Sequence, residues 1–208
     1  MQPSVYALFN LRESAQSADF RMNHVKNAIL ILALVCIDLP VTLLGLIVAP
    51  VALLFCSRES EHLPRWAWLW DNDETGINGD GDATGGWRGP EHANGRERSY
   101  WWRFAWLALR NPANNWSYFV LGWKTTADTR YKIWGDPLTS NMNPGRPGWL
   151  YCEAYESGVM YPCYYVVARW SRTRCLRVYL GWKNKGYDRD GSRTQFVWVI
   201  NPFMTFKE

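Results

Sequence analysis

Hydrophobic and polar positions change pattern twice along the chain. From Ala28 to Phe55 the sequence is almost continuously apolar, with Asp38 the single charged residue. From Trp149 onward the period becomes two, in short runs rich in Tyr, Val, Trp and Phe. A long apolar run followed by alternating runs predicts an α+β protein. Its parts are an N-terminal membrane helix or helical hairpin, then an aromatic-rich domain with one or two helices and an antiparallel β-meander. The expected boundaries are a tail over 1–26, an apolar membrane segment over 27–57 and a soluble aromatic-rich domain over 58–208.

About 20 mainly apolar residues suffice to cross a bilayer, so the first segment is long enough. Pro40 and Pro50 interrupt it, and proline kinks a helix that it does not end. Three readings compete: one tilted, kinked span; a re-entrant hairpin turning at Asp38-Leu39-Pro40; and a pair of buried core helices in a soluble fold. Membrane insertion is preferred on length. Asp38 at mid-depth would be costly without a partner or a water-filled site. The charged stretch before the run is long and the run exceeds a signal-peptide core, so the segment reads as a retained anchor. Arg12, Arg21 and Lys26 before it, against Arg58 and Arg65 after it, favour an inside N-terminus and a large domain outside the cytoplasm.

Trp66, Trp68 and Trp70 alternate, which on an extended chain places them on one side, as a membrane-interface anchor or a strand on the core. The Gly/Asp-rich stretch that follows partly fits a calcium loop. Asp71, Asp73 and Thr75 alternate, Gly76 falls at the sharp turn, Asp80 adds an oxygen ligand and Asp82 stands twelfth. The plain alternative is a solvated turn. Glu97–Arg110 predicts a helix that ends before Pro112, with Trp102, Ala105, Trp106 and Leu109 on one face and Arg103 and Arg110 on another. Strands are expected at Trp149–Glu153, Met160–Trp170, Cys175–Lys183 and Thr194–Ile200, with Leu176, Val178, Leu180 and Trp182 sharing a face. Leu121-Gly122-Trp123-Lys124 is echoed at Leu180-Gly181-Trp182-Lys183, both as strand ends carrying a bulge or tight bend.

Composition narrows the functions. Fourteen tryptophans suggest a packed sheet, an interface belt or a stacking surface. A net charge of +4 with interspersed signs gives no specific nucleic-acid partner. His24, His62 and His92 share no metal-ligand spacing, and no nucleophile, phosphate-loop or dinucleotide pattern occurs. Glu153 and Glu156 flank a predicted turn and read as solvated surface rather than an acid–base pair. Arg169, Arg172, Arg174, Arg177, Lys183 and Lys185, with Trp170, Tyr179 and Trp182, read as an outward charged sheet face, single-stranded nucleic acid or anionic lipid being the functional alternatives. Cys152 and Cys163 fall opposite each other across a hairpin near Ser157, a geometry that admits a disulfide; reduced buried thiols are the alternative. In Arg110-Asn111-Pro112-Ala113-Asn114-Asn115, the residues Arg110, Asn111, Asn114 and Asn115 are candidates for interaction with a partner, against helix capping as the structural job.

Trp70-Asp71-Asn72-Asp73, the Arg110–Asn115 block, Tyr179-Leu180-Gly181-Trp182-Lys183 and Phe196-Val197-Trp198-Val199-Ile200-Asn201-Pro202-Phe203 resemble an uncharacterised family of small tailed-bacteriophage proteins. No catalytic residue carries over from that family. The resemblance implies a viral product at the host inner membrane or in the virion, with membrane lipid and phage or host envelope proteins as partners. The leading expectation is a non-enzymatic, membrane-anchored protein with calcium as its one candidate cofactor. A tail or ejected virion component and a glycan-binding envelope module are the alternatives.

Overall fold

The computed structural model describes residues 5–79, 98–139, 147–184 and 191–205, with side chains from residue 23 onward. Helix α1 spans Val5–Leu53 without a break. It carries Pro40 and Pro50 inside, so of the competing readings the continuous helix forms and the hairpin at Asp38-Leu39-Pro40 does not. The compact units divide within this helix, as Met1–Ile37 and Asp38–Glu208.

Within the second unit, α1 has two unlike sides. Asp38, Gly45, Ala49 and Ala52 are buried, and at 100° per residue they share one face. Leu43, Leu44, Ile47, Val51 and Leu54 are exposed and fall on the opposite face. Small residues on the first face let side chains of the domain approach the helix backbone. The Trp70 indole donates to Val41 O at 2.8 Å, and Tyr100 Oη donates to Pro50 O at 3.1 Å. Asp38 Oδ2 accepts from Trp198 Nε1 at 2.7 Å and from Thr42 Oγ1 at 3.2 Å. The partner that a mid-helix carboxylate requires is thus supplied by the sheet.

Arg65–Trp70 forms a 3-10 helix, which corrects the extended reading of the tryptophan stripe. At three residues per turn, i and i+2 diverge instead of aligning. Trp66 is exposed and edge-on to Phe55 at 6.1 Å. Trp68 lies 5.9 Å from Phe119, and Trp70 faces inward to α1. Helix α2 spans Tyr100–Phe104 with Ser99 as its N-cap, then widens to a π-helical segment over Ala105–Arg110. That widening shifts the helical phase, so the predicted apolar face is wrong. The buried residues are Arg103, Trp106, Leu107 and Ala108, while Leu109 is 65% exposed. A second π-helical segment covers Trp116–Val120. One core cluster joins Ala49, Ala52 and Leu53 of α1 to Leu63, Ala67, Ile77, Trp106 and Leu107.

The rest is β-structure: β1 Trp123–Lys124, β2 Arg130–Gly135, β3 Gly148–Glu156, β4 Val159–Arg169, β5 Arg174–Trp182, β6 Arg193–Thr194 and β7 Phe196–Thr205. β1 pairs with β6, and the other five form an antiparallel sheet in the order β2-β3-β4-β5-β7. That is the expected meander. Strands β1, β2 and β6 have too little alternation to predict. The second core cluster comes from the face that carries Cys152, Cys163, Tyr165, Val167, Cys175 and Tyr179. Of Leu176, Val178, Leu180 and Trp182, expected to share a face, the first three are half-buried and Trp182 is buried. The two Leu-Gly-Trp-Lys echoes meet, with Trp182 Nε1 donating to Leu121 O at 2.8 Å. Gly181 sits at φ +101, and a Cβ there would come 2.1 Å from Pro162 O, which is why the strand needs glycine.

A Cβ on Gly45 would meet Trp70 Cδ1 at 2.8 Å. Gly45→Val gains a few tenths of a kcal/mol in helix propensity but overpacks by about 2 kcal/mol. The variant should therefore unfold at lower temperature in detergent, followed by tryptophan fluorescence. Trp70→Leu in the same chain should recover most of the loss. An unchanged midpoint would show that the indole does not lie against the helix.

Candidate functional site

Asn115 is fully buried and ties two distant stretches together. Its side-chain Nδ2 donates to Trp68 O and to Asp73 Oδ1, both at 2.9 Å. Its Oδ1 accepts from Asp73 N at 2.9 Å, and its own N–H donates to Asp71 O at 3.1 Å. Neighbouring Asn114 and Ser117 accept from Gln195 Nε2 at 3.1 and 2.7 Å. Asn114 and Asn115 are thus spent inside the domain and present no surface to a partner. Neither serves as the expected helix cap; the motif crosslinks the tryptophan turn to the β-domain. Arg110 is exposed and Asn111 half-buried.

Asp71 and Asp73 meet His62, which sequence spacing did not single out. His62 Nδ1 lies 3.3 Å from Asp71 Oδ2 and 3.8 Å from Asp73 Oδ1. One donor atom from each residue falls within 4.8 Å of the others. This nitrogen-and-oxygen set would suit zinc or a similar ion better than calcium, which takes oxygens. The same oxygens already have protein partners. Asp71 Oδ2 accepts from Leu63 N at 3.0 Å and Oδ1 from Asn72 N at 2.8 Å. Asp73 Oδ2 accepts from Trp68 Nε1 at 2.8 Å. Arg65 lines the same cavity of about 600 Å³, a cation where a metal site would avoid one. Thr75 is exposed, and its N–H donates to Asn72 Oδ1 at 3.2 Å in a local turn. Asp80 and Asp82 lie outside the described residues. His62, Asp71 and Asp73 close into a brace whose carboxylates are held by Leu63, Asn72 and Trp68.

Arg103, expected on a face apart from the apolar one, is buried. Its guanidinium donates to Asn78 Oδ1, Ser57 O and Arg58 O, each at 2.8 Å, and to Ser60 O at 3.0 Å. Burial pulls its pKa down from the usual value, and the four bonds it donates offset that cost. Trp106 Nε1 donates to Gly76 O at 3.1 Å. These two residues hold the turn after α1 and the start of the acidic loop.

Residues 22–208 match the model of a family of unknown function, DUF7338. The chain belongs to that family. No curated protein and no solved structure matches it. In this DUF7338 chain the match takes in the apolar part of α1, the His62–Asp73 brace and the whole sheet.

Glu153 is buried rather than solvated. It accepts from Tyr151 Oη at 2.6 Å and from Tyr155 Oη at 2.5 Å. Burial, and then the bond and charge of Glu153, push Tyr155 up to about 12. Tyr151 stacks between Trp134 and Tyr164 at 5.2 and 4.6 Å. The alternation Tyr151-Cys152-Glu153-Ala154-Tyr155 was the signal available for this cluster, since residues two apart share a strand face. Glu156 is half-buried, and the Thr129 hydroxyl leads the bonds that hold its carboxyl below the usual range. The two carboxylates do different structural jobs and form no acid–base pair. In the basic stretch, Arg169 Nε donates to Ser171 O and Arg174 Nη1 to Phe203 O, both at 2.9 Å, so these two arginines brace turns and strand ends.

Cys152 and Cys163 face each other in register, as expected. Both are buried and free in this structure. The Cys152 side chain beside it and burial push the Cys163 thiol well up, which leaves it unreactive. Cys175 is likewise free and buried.

Asn115→Ala leaves the Asp73 N–H without its partner and strips the Asn115 donor from Asp73 Oδ1 and from Trp68 O, which keeps the Asp71 N–H, and a buried unsatisfied group costs about 1–3 kcal/mol. Chemical denaturation should show a loss of about 3 kcal/mol; a loss under about 0.5 kcal/mol would remove Asn115 as a crosslink. Burial raises the Asp71 pKa above its ordinary value, against the lowering bonds of Asn72 and Leu63. The native state therefore binds this proton more tightly than the unfolded chain does. Its contribution is greatest below about pH 4 and is lost as pH rises through the raised native value. The difference in unfolding free energy, wild type minus Asp71→Asn, should fall across that window. A difference that rises with pH would contradict the burial effect.

Proposed function

We propose that the chain is a membrane-anchored protein whose aromatic α+β domain works at the bilayer surface by binding envelope components rather than by catalysis. The observation that carries this reading is the helix Asn23–Leu53. It is 31 residues long, has mean hydropathy 2.6 over its most apolar window, and only 17% of that window is buried. A core helix of a soluble fold would be mostly covered, whereas Ile29, Leu32, Ile37 and Ile47 are each more than half exposed. At 1.5 Å per residue the helix is about 46 Å long, more than a hydrocarbon core of about 30 Å needs. The two braces described above support a binding scaffold, because their polar groups are turned inward and paired. The resemblance to small tailed-phage proteins extends the proposal to the inner membrane of an infected bacterium, with the domain on the periplasmic side.

Cell fractionation with alkaline carbonate extraction tests the anchor. The full chain with a C-terminal tag should remain in the carbonate-resistant membrane fraction, and protease should remove the tag only from the periplasmic side. Recovery of the native protein in the soluble fraction would defeat the anchor reading. Cleavage from the cytoplasmic side alone would reverse the orientation.

A further inference from the structure

Where α1 ends, a cavity of about 580 Å³ opens between Leu53, Leu54, Arg58, Arg98, Tyr100 and Arg103. Among the described residues, three arginines and no carboxylate line it. Arg103 is committed to the carbonyls below and contributes charge rather than free donors. Arg58 and Arg98 are exposed at the mouth. Arg98 lies 3.8 Å from Glu61 Oε1, an exposed pair of small worth that a stronger anion can displace. The other wall is apolar and open. Leu54 and Phe55 are 72% and 71% exposed, and the exposed Trp66 ring meets Phe55 edge-on.

Position gives this combination its meaning. Leu53 is the last residue of the candidate span, so the cavity lies where hydrocarbon gives way to headgroups. Guanidinium forks suit phosphate oxygens, aromatic rings favour that depth, and a cationic lining favours anionic lipid over zwitterionic lipid. We propose that this cavity holds the phosphodiester headgroup of an anionic phospholipid. Arg58 and Arg98 take the phosphate, and an acyl chain runs along Leu54 and Phe55. The proposal rests on the membrane-anchored reading and names the first ligand of that surface.

The test uses the full chain, delipidated in a neutral detergent, with thermal unfolding followed as lipid is added. Dioleoyl phosphatidylglycerol should raise the midpoint in a saturable way, and dioleoyl phosphatidylcholine should do so far less. Arg58→Gln with Arg98→Gln should raise the half-saturating phosphatidylglycerol concentration by roughly tenfold or more, with the lipid-free midpoint unchanged. The Lys pair at the same positions should retain much of the response. Equal stabilisation by both lipids, or an unshifted titration in the Gln pair, would overturn the proposal. So would inorganic phosphate reproducing the whole effect, which would mark a bare anion site. If the lipid-free Gln pair unfolds early, Leu54→Gln replaces it and should weaken phosphatidylglycerol without altering the response to phosphate. Carbonate extraction separates this failure from that of the anchor. A chain that resists extraction but ignores phosphatidylglycerol keeps its anchor and loses this site. A chain that is extracted yet responds through Arg58 and Arg98 keeps the site and loses the anchor.

Discussion

Asp38 cannot stand alone in the middle of an apolar helix. An ionised carboxylate there would cost several kcal/mol without a donor, and the Trp198 indole and Thr42 hydroxyl supply two. Trp198 belongs to β7, the last strand of the sheet. The helix and the far end of the chain therefore fold as one unit from Asp38 onward. Trp70 on Val41 and Tyr100 on Pro50 repeat the arrangement further along the helix. Each is an aromatic ring with one polar atom, and each bonds a polar group of α1 while its ring covers apolar surface.

That contact also explains the two sides of the helix. Gly45, Ala49 and Ala52 are small because indole and helical backbone must approach closely. The leucines and isoleucine opposite have no such neighbour and remain exposed. From Asp38 onward the helix is docked to its domain along one flank, and its other flank is exposed. The exposed Phe55 and Trp66 continue the apolar surface past the helix end, and the arginine-lined cavity sits beside them.

Polar side chains do much of the crosslinking between segments. Asn115, Arg103 and Asp71 are buried and matched to donors or acceptors from elsewhere in the chain, while buried Glu153 is held by tyrosines of its own strand. A buried amide or guanidinium that meets most of its bonds fixes one arrangement of loops, since any shift leaves several groups unpaired. The candidate residues in Arg110–Asn115 were distinctive for this reason. Their chemistry is directed inward, to Trp68, Asp73 and Gln195.

The α+β class, the apolar helix and the four main strands were legible because hydrophobic run length and period two are local properties. The Cys152–Cys163 register followed from the turn at Ser157-Gly158 for the same reason. Other features depended on partners far away in the sequence. The tryptophan turn coiled instead of extending, so that Trp68 and Trp70 could reach Asp73 and Val41. The π-helical widening after Phe104 left Leu109 exposed, and the carbonyls of Ser57, Arg58 and Ser60 drew Arg103 inward. His62 joined Asp71 and Asp73 only because the chain folds back through Leu63. Glu153 became interior because strands on both sides cover it. Local pattern determined which elements form; long-range hydrogen bonding decided which faces are buried, because an unpaired polar group inside costs more than local preference supplies.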